Sequence, residues 1–199
     1  MNRPQQSLQD KLEASGRDEQ ITALFTFLVE RGAANYDEAV TQLAHALQAA
    51  TLARESGASA ELITAALFHD LGHMLLGEDD GTKQMLAEDL DHECIGADFL
   101  KPYFPEAVTS PIRLHVPAKR YLCTVDASYH DQLSAASKRS LAVQGGTLSA
   151  AELAAFQQEP FLDQAVDLRR WDDLAKQQEY EVPAIDSFHT IVDRAFSHA

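Results

Sequence analysis

The stretch ALFHDLGHMLLG, residues 66–77, sets the narrowest limit on how this chain can fold. Leu67, Phe68, Leu71, Met74 and Leu75 recur at three- and four-residue steps, the period of an apolar helical stripe. His69 and His73 are one turn apart and Asp70 is three residues from His73, so three polar side chains cluster within that helix. A buried carboxylate beside two imidazoles is costly unless a positive charge compensates it, and a metal ion supplies that charge. Taken alone, the stretch also fits a helix whose polar edge happens to hold two histidines.

The rest of the chain reads as one helix after another. EQITALFTFLVERG puts Ile21, Leu24, Phe25 and Leu28 on one stripe, with Gly32 placed to stop it. A longer helix starts at about Asp37 and ends at Gly57. Ser59 caps the next one, which carries the opening stretch and ends near Gly77. EDDGTKQMLAED reads as a loop. A helix covers HECIGADFLKPYF, and another follows Pro105, interrupted or ended by Pro111 and Pro117. ASYHDQLSAASKRSLAVQGG reads as a helix closed by Gly145 and Gly146, and SAAELAAFQQ opens on a Ser149–Glu152 capping box. Two last helices run roughly from Phe161 to Gln178 and from Ala184 to Ser197. No alternating run rich in Val, Ile or Thr reaches five residues. The expected fold class is all-α, in a single domain over residues 1–199 with 1–18 a flexible or peripheral N-terminal segment.

Charge and segment composition narrow the partners. The net charge of −15 argues against a nucleic-acid backbone or an anionic membrane as partner, but leaves room for a small anion in a local pocket. No apolar run nears the roughly 20 residues that span a bilayer. MNRPQQSLQDKLEASG lacks the apolar core of a signal peptide. Cys94 and Cys123 are too few for a disulfide scaffold and form no metal-type pair. The expectation is a cytoplasmic protein with no membrane, no nucleic acid and no obligate protein partner.

Of the eight histidines, several lie where a solvated residue would not. His45 is inside an apolar helix, His69 belongs to the HD pair, His92 opens the helix after the acidic loop, and His115 sits in IRLHVPAKRYL. Asp172 follows Trp171 in LRRWDD. His130, His189 and His198 lie in polar or terminal surroundings and read as solvated. Imidazole and carboxylate suit iron, manganese or zinc, with no thiolate preference. His45, His69, Asp70 and Asp172 suit one ion. Adding His92 and His115 makes six ligands, the right number for two ions with Asp70 bridging them.

The order H…HD…H…H…D resembles the HD-domain superfamily, and in particular its mixed-valent di-iron oxygenases of phosphonate catabolism, such as those that cleave 2-amino-1-hydroxyethylphosphonate. The pieces that carry the resemblance are EAVTQLAHALQAA, AALFHDLGH, HECIGADFL, HVPAKRYL, SYHDQLSAASKRSL, QGG and RRWDD, in order from about Asn35 to Lys176. The HD pair is weakly specific, whereas HVPAKRYL followed by LSAASKRSL and QGG is far more so. The resemblance implies an HD-domain helical bundle enclosing a dinuclear site. One iron would take His45, His69, Asp70 and Asp172, and the other Asp70, His92 and His115, in an Fe(II)/Fe(III) pair with O2 as co-substrate. It implies that Lys119, Ser137 and Arg169 hold a phosphonate, with His73 beside the substrate. These types suit a dianion, which wants ammonium, guanidinium and hydroxyl donors. It also implies a tyrosine gate and a glutamate upstream of the first histidine. Glu38 is seven residues before His45 as expected, but Tyr36 is only two residues before Glu38, one fewer than the family's spacing, and Asp37 adds a carboxylate. The implied reaction is oxidative cleavage of the C–P bond of a small organophosphonate, 1-hydroxy-2-aminoethylphosphonate or its N-methylated form, to phosphate and glycine or glycine betaine. An HD-type phosphohydrolase acting on a phosphate ester is the alternative, and a silent nucleotide-binding module a third reading.

Overall fold

Short polar residues fix where the helices of the computed structural model begin, and that structure describes residues 3–33, 40–77 and 91–197. The first helices are α1 (Arg3–Glu13), α2 (Arg17–Arg31) and α3 (Gln42–Glu55). Thr41 caps α3 by accepting from the Ala44 amide, so the helix starts after Val40 and not at Asp37. The next stretch splits into α4 (Ala60–Phe68), capped by Ser59, and α5 (Leu71–Leu76), closed by Gly77 in the left-handed region at φ 77°. The continuous helix expected through the HD pair is therefore broken at it. Asp70 has φ −100° and ψ 11°, outside helical geometry, and this turns its carboxylate inward.

Then come α6 (His92–Leu100) and α7 (Glu106–Val125). Neither Pro111 nor Pro117 interrupts or ends α7, contrary to expectation. A proline inside a helix costs about 3 kcal/mol. Here Pro111, Ile112, His115, Val116, Ala118, Lys119 and Leu122 are all buried along one helix, and that packing outweighs the missing amides. The segment expected as one helix is two, α8 (Ala127–Gln132) and α9 (Ala135–Val143), because Ser134 takes the Ser137 amide and starts a new helix. The chain ends with α10 (Ala150–Phe156), capped by the expected Ser149–Glu152 box, α11 (Leu162–Leu174), a 3-10 turn (Ile185–Phe188) and α12 (His189–Ala195). Both last helices are shorter than expected.

α4 forms the spine: α3, α7 and α12 pack on it, α11 lies across α7 and α3, and α6 fills between α5 and α7. A run of rings from Phe25 through Phe68 and Phe104 to Phe196, with centroids 6.5, 5.9 and 4.9 Å apart, ties α2 to the C-terminal end. The expected N-terminal segment contributes α1 to the fold. Leu8 and Leu12 of α1 lie in the main core, and burying each contributes about 1.5–3 kcal/mol. His189 is half-buried with its ring edge-on to Phe25, so it is less solvated than its sequence context suggests, whereas the side chain of His130 remains 44% exposed. Cys94 and Cys123 are free thiols. Among the described residues no helix is long and apolar enough to cross a membrane.

Candidate metal centre

Five elements bring six side chains to one buried point. His45 comes from the first turn of α3, His69 and Asp70 from the break between α4 and α5, His92 from the start of α6, His115 from α7 and Asp172 from α11. The approach of α6 depends on glycine. A Cβ on Gly72 would overlap the carbonyl of His92, and one on Gly96 would come 3.2 Å from the Gly72 nitrogen. That bare contact lets His92 reach the HD pair.

Asp70 stands at the centre, and its two oxygens face different histidine pairs. Oδ2 is 3.4 Å from His45 Nε2 and 3.3 Å from His69 Nε2. Oδ1 is 3.4 Å from His92 Nε2 and 3.7 Å from His115 Nε2. Asp172 Oδ1 lies 3.3 Å from His45 Nε2. His73 stacks on His92 with ring centroids 3.8 Å apart and also brings a nitrogen within reach of the Asp70–His92 group.

The far nitrogens fix what the near ones can do. Nδ1 of His45, His69 and His115 donates to the carbonyls of Ala175, Ala66 and Ile112 at 2.8, 2.9 and 2.7 Å. A carbonyl only accepts, so each Nδ1 carries the proton and each ring turns its Nε2 inward. His45 Nε2 and His69 Nε2 are 3.1 Å apart, and His92 Nε2 and His115 Nε2 are 3.3 Å apart. Imidazole nitrogens and carboxylate oxygens that converge this closely, with the buried Asp70 Oδ2 lacking a hydrogen bond, form a site suited to a cation. Backbone acceptors on the far nitrogens of metal-binding histidines orient such rings in the same way. Two groups of buried residues bring their ligand atoms close enough to hold an ion, His45 with His69 and Asp70, and Asp70 with His73 and His92.

The same demand appears in the protonation preferences. Burial works against a charged His45, but the hydrogen bonds and charges of Asp172 and Asp70 outweigh it and raise its pKa to about 9. Burial likewise opposes ionised Asp70 and Asp172. The surrounding imidazoles for the first, and Arg169 and Lys176 for the second, nevertheless hold both far below the usual carboxylate range. Burial, reinforced by His92 and His69, keeps His115 neutral.

A cationic pocket adjoins the centre. Arg169 Nη1 meets Asp172 Oδ2 at 2.6 Å, which leaves Oδ1 of that carboxylate for the His45 side. Lys119 is buried on α7 and donates to Ser140 Oγ at 2.9 Å. Burial first, then the charge of Arg169, lowers its pKa to about 7. Ser137 is buried at the start of α9. The expected set Lys119, Ser137 and Arg169 is thus together, with His73 across the centre. Lys176, Tyr129 and Asp173 join it and were not anticipated. Lys176 Nζ is 3.4 Å from Ser137 Oγ and 3.7 Å from Asp172 Oδ1. Its signal was readable, four residues after Asp172. Tyr129 and Asp173 pair across 44 residues, which no local spacing reveals. QGG serves as a turn, with Gly145 and Gly146 at φ 92° and 69° and Arg120 bonded to the Gly146 carbonyl. Tyr36, Asp37 and Glu38 lie outside the described residues, as does His198.

A profile of the HD domain family matches residues 43–176. The chain is 53% identical over 181 residues to a hydroxymethylphosphonate dioxygenase of Gimesia maris, covering 91% of this chain and 90% of the relative. It is 40% identical over 162 residues to a [1-hydroxy-2-(trimethylamino)ethyl]phosphonate dioxygenase (glycine-betaine-forming) of Leisingera caerulea, covering 79% and 80%. An uncharacterised protein of Acanthamoeba polyphaga mimivirus is 32% identical over 174 residues, covering 86% and 80%. With a matched profile over two thirds of its length and relatives aligned over most of theirs, this chain belongs to the HD-domain family.

Proposed function

We propose that this protein is an oxygenase that uses O2 to cleave the C–P bond of a 1-hydroxyalkylphosphonate at a mixed-valent di-iron centre. The observation that carries the reading is Asp70, whose two oxygens face separate histidine pairs beside a buried pocket of cations. The relatives named as phosphonate dioxygenases supply the reaction class. The balance is simple: R–CH(OH)–phosphonate plus O2 gives R–COOH and phosphate. The carbon loses four electrons and O2 gains four, so no outside reductant is required.

One iron is assigned to His45, His69, Asp70 and Asp172, and the other to Asp70, His92 and His115. When bound, the ions supply O2 activation and polarise the substrate hydroxyl. The protein does the rest. Lys119, Ser137 and Arg169, with Lys176 beside them, take the phosphonate oxygens and set the distance of C1 from the centre. His73, stacked on His92, bounds the site on the other side. Arg169 neutralises the outer oxygen of Asp172 and keeps it on one side of the carboxylate. Burial of His73, Lys119, Ser137, Arg169 and Asp172 excludes water from the reacting carbon. Tyr36 is proposed as the gate with Glu38 receiving its hydroxyl, and Asp37 with Glu38 as the alternative pocket for a substrate amine.

The 53% identity to a hydroxymethylphosphonate enzyme supports R = H as the first substrate to test, which would yield formate. The relative named for the trimethylamino compound keeps the aminated phosphonates as the second. We place the protein in the cytoplasm on the same reading, in keeping with two free thiols. The test is iron-loaded protein with hydroxymethylphosphonate, 2-amino-1-hydroxyethylphosphonate and its trimethylated form, each assayed for phosphate and for formate, glycine or glycine betaine. Phosphate with formate is the expected outcome. Phosphate from none of the three, but from a phosphate ester, would return the site to hydrolysis.

A further inference from the structure

Asp173 and Tyr129 carry charge and hydroxyl chemistry that the assigned reaction does not use. Both lie against Arg169. Nη2 of the guanidinium pairs with Asp173 Oδ1, and Nε lies 3.2 Å from both Asp173 Oδ2 and the Tyr129 oxygen. The Tyr129 hydroxyl donates to Asp173 Oδ2 at 2.5 Å. Nη1 turns the other way, to Asp172 Oδ2. One planar guanidinium is therefore held edge-on by Asp173 and Tyr129 while its remaining corner grips the carboxylate assigned to the metal. Tyr129 also belongs to α8, the short helix that leads into α9 and Ser137. Its ring packs with Cys123, Leu133 and Leu141, so it joins the α8–α9 arm to α11.

We infer that Asp173, with the Tyr129 hydroxyl, is a positioning unit that fixes Arg169 between Asp172 and the phosphonate. Arg169 has five N–H donors in a rigid fork. With Asp173 in place, one edge is spoken for and only one corner reaches Asp172, so Asp172 keeps Oδ1 for the metal. Without that hold, the guanidinium is free to take both oxygens of Asp172, the bidentate geometry it favours. It would then compete for the atom facing His45 and turn its free donors away from the pocket beside Lys119 and Ser137. Two losses follow from one rotation, in metal retention and in anion binding. The anion part rests on reading the pocket as a phosphonate site, whereas the metal part does not.

The experiment compares wild type with Asp173→Asn, Asp173→Glu and Tyr129→Phe. Each is measured for iron retained against a graded chelator, calorimetric binding of methylphosphonate, and kcat and KM for hydroxymethylphosphonate. Asp173→Asn should lose iron at a roughly tenfold lower chelator concentration and bind methylphosphonate roughly tenfold more weakly, as expected for a charged hydrogen bond. KM should rise more than kcat falls. Tyr129→Phe should move both binding readouts the same way by about threefold, and Asp173→Glu should recover part of each. Wild-type chelator resistance and methylphosphonate affinity in a folded Asp173→Asn overturns the inference. If Asp173→Asn fails to fold, unchanged binding in Tyr129→Phe overturns it instead. A wild type that neither binds methylphosphonate nor releases phosphate refutes the phosphonate reading, and the chelator comparison still decides the role of Asp173.

Discussion

Gly72 packs its bare backbone against the carbonyl of His92, leaving no room for a side chain between them. This contact brings the N-terminus of α6 to the break at Asp70 and sets the 3.4 Å separation of His92 from Asp70 Oδ1. Gly72→Ala should push α6 outward. The expected result is one iron per chain in place of the two proposed for the wild type, with a stability loss of about 1–3 kcal/mol from overpacking. Metal analysis with thermal denaturation checks it, and full iron content at an unchanged melting temperature would show the contact to be incidental.

Asp70 and Asp172 are predicted to differ in what they hold. Asp70→Ala removes the group facing both histidine pairs and should abolish binding of both irons. Asp172→Ala should weaken one proposed iron and also destabilise the metal-free protein by about 1.5–3 kcal/mol, because Arg169 loses one of its two buried carboxylate partners and keeps Asp173. Loss of metal lowers the melting temperature further by mass action. Two tightly bound irons in Asp70→Ala would remove Asp70 from the bridging position.

Lys119 should trade stability for binding. Its ammonium is surrounded by Arg169, Lys176, Asp172 and Asp173, and burial with the Arg169 charge lowers its pKa to about 7 from the ordinary lysine range. Between that value and the unfolded one, the unfolded chain holds the extra proton, so stability rises with pH through the window above about 7. Below it the penalty of the buried charge is complete. Lys119→Met should therefore raise the melting temperature, more near pH 6 than near pH 9, while weakening methylphosphonate binding by roughly tenfold or more. A pH-independent change, or intact phosphonate binding, would place Lys119 outside the anion pocket.

The N-terminal helix makes a simpler test of the fold. Leu12 is fully buried in the main core, and Leu12→Ala should cost about 2–5 kcal/mol in chemical denaturation. A surface-like effect under 0.5 kcal/mol would mean that α1 does not pack as described.

The helical class and the buried histidines were legible because both leave local marks: a 3.6-residue stripe, and polar ligands set inside it. The break at Asp70 was not, because the apolar period continues unbroken through the pair and only inward convergence of five elements favours the turn. The prolines of α7 misled for a related reason. A local rule assigns each a cost, but the buried face from Val108 to Leu122 is set by tertiary contacts. α1 escaped notice because its polar sequence carries few apolar residues, of which Leu8 and Leu12 alone suffice to dock it. Lys176 followed helical spacing and could have been found, whereas the Tyr129–Asp173 pairing spans 44 positions and exists only in the fold.

The proposed reaction is an oxidation, and the most direct measurement of it is the ratio of O2 consumed to phosphate released by the iron-loaded protein acting on hydroxymethylphosphonate. The prediction is one O2 for each phosphate and no phosphate under strict anaerobiosis. Phosphate released without O2 uptake would contradict it.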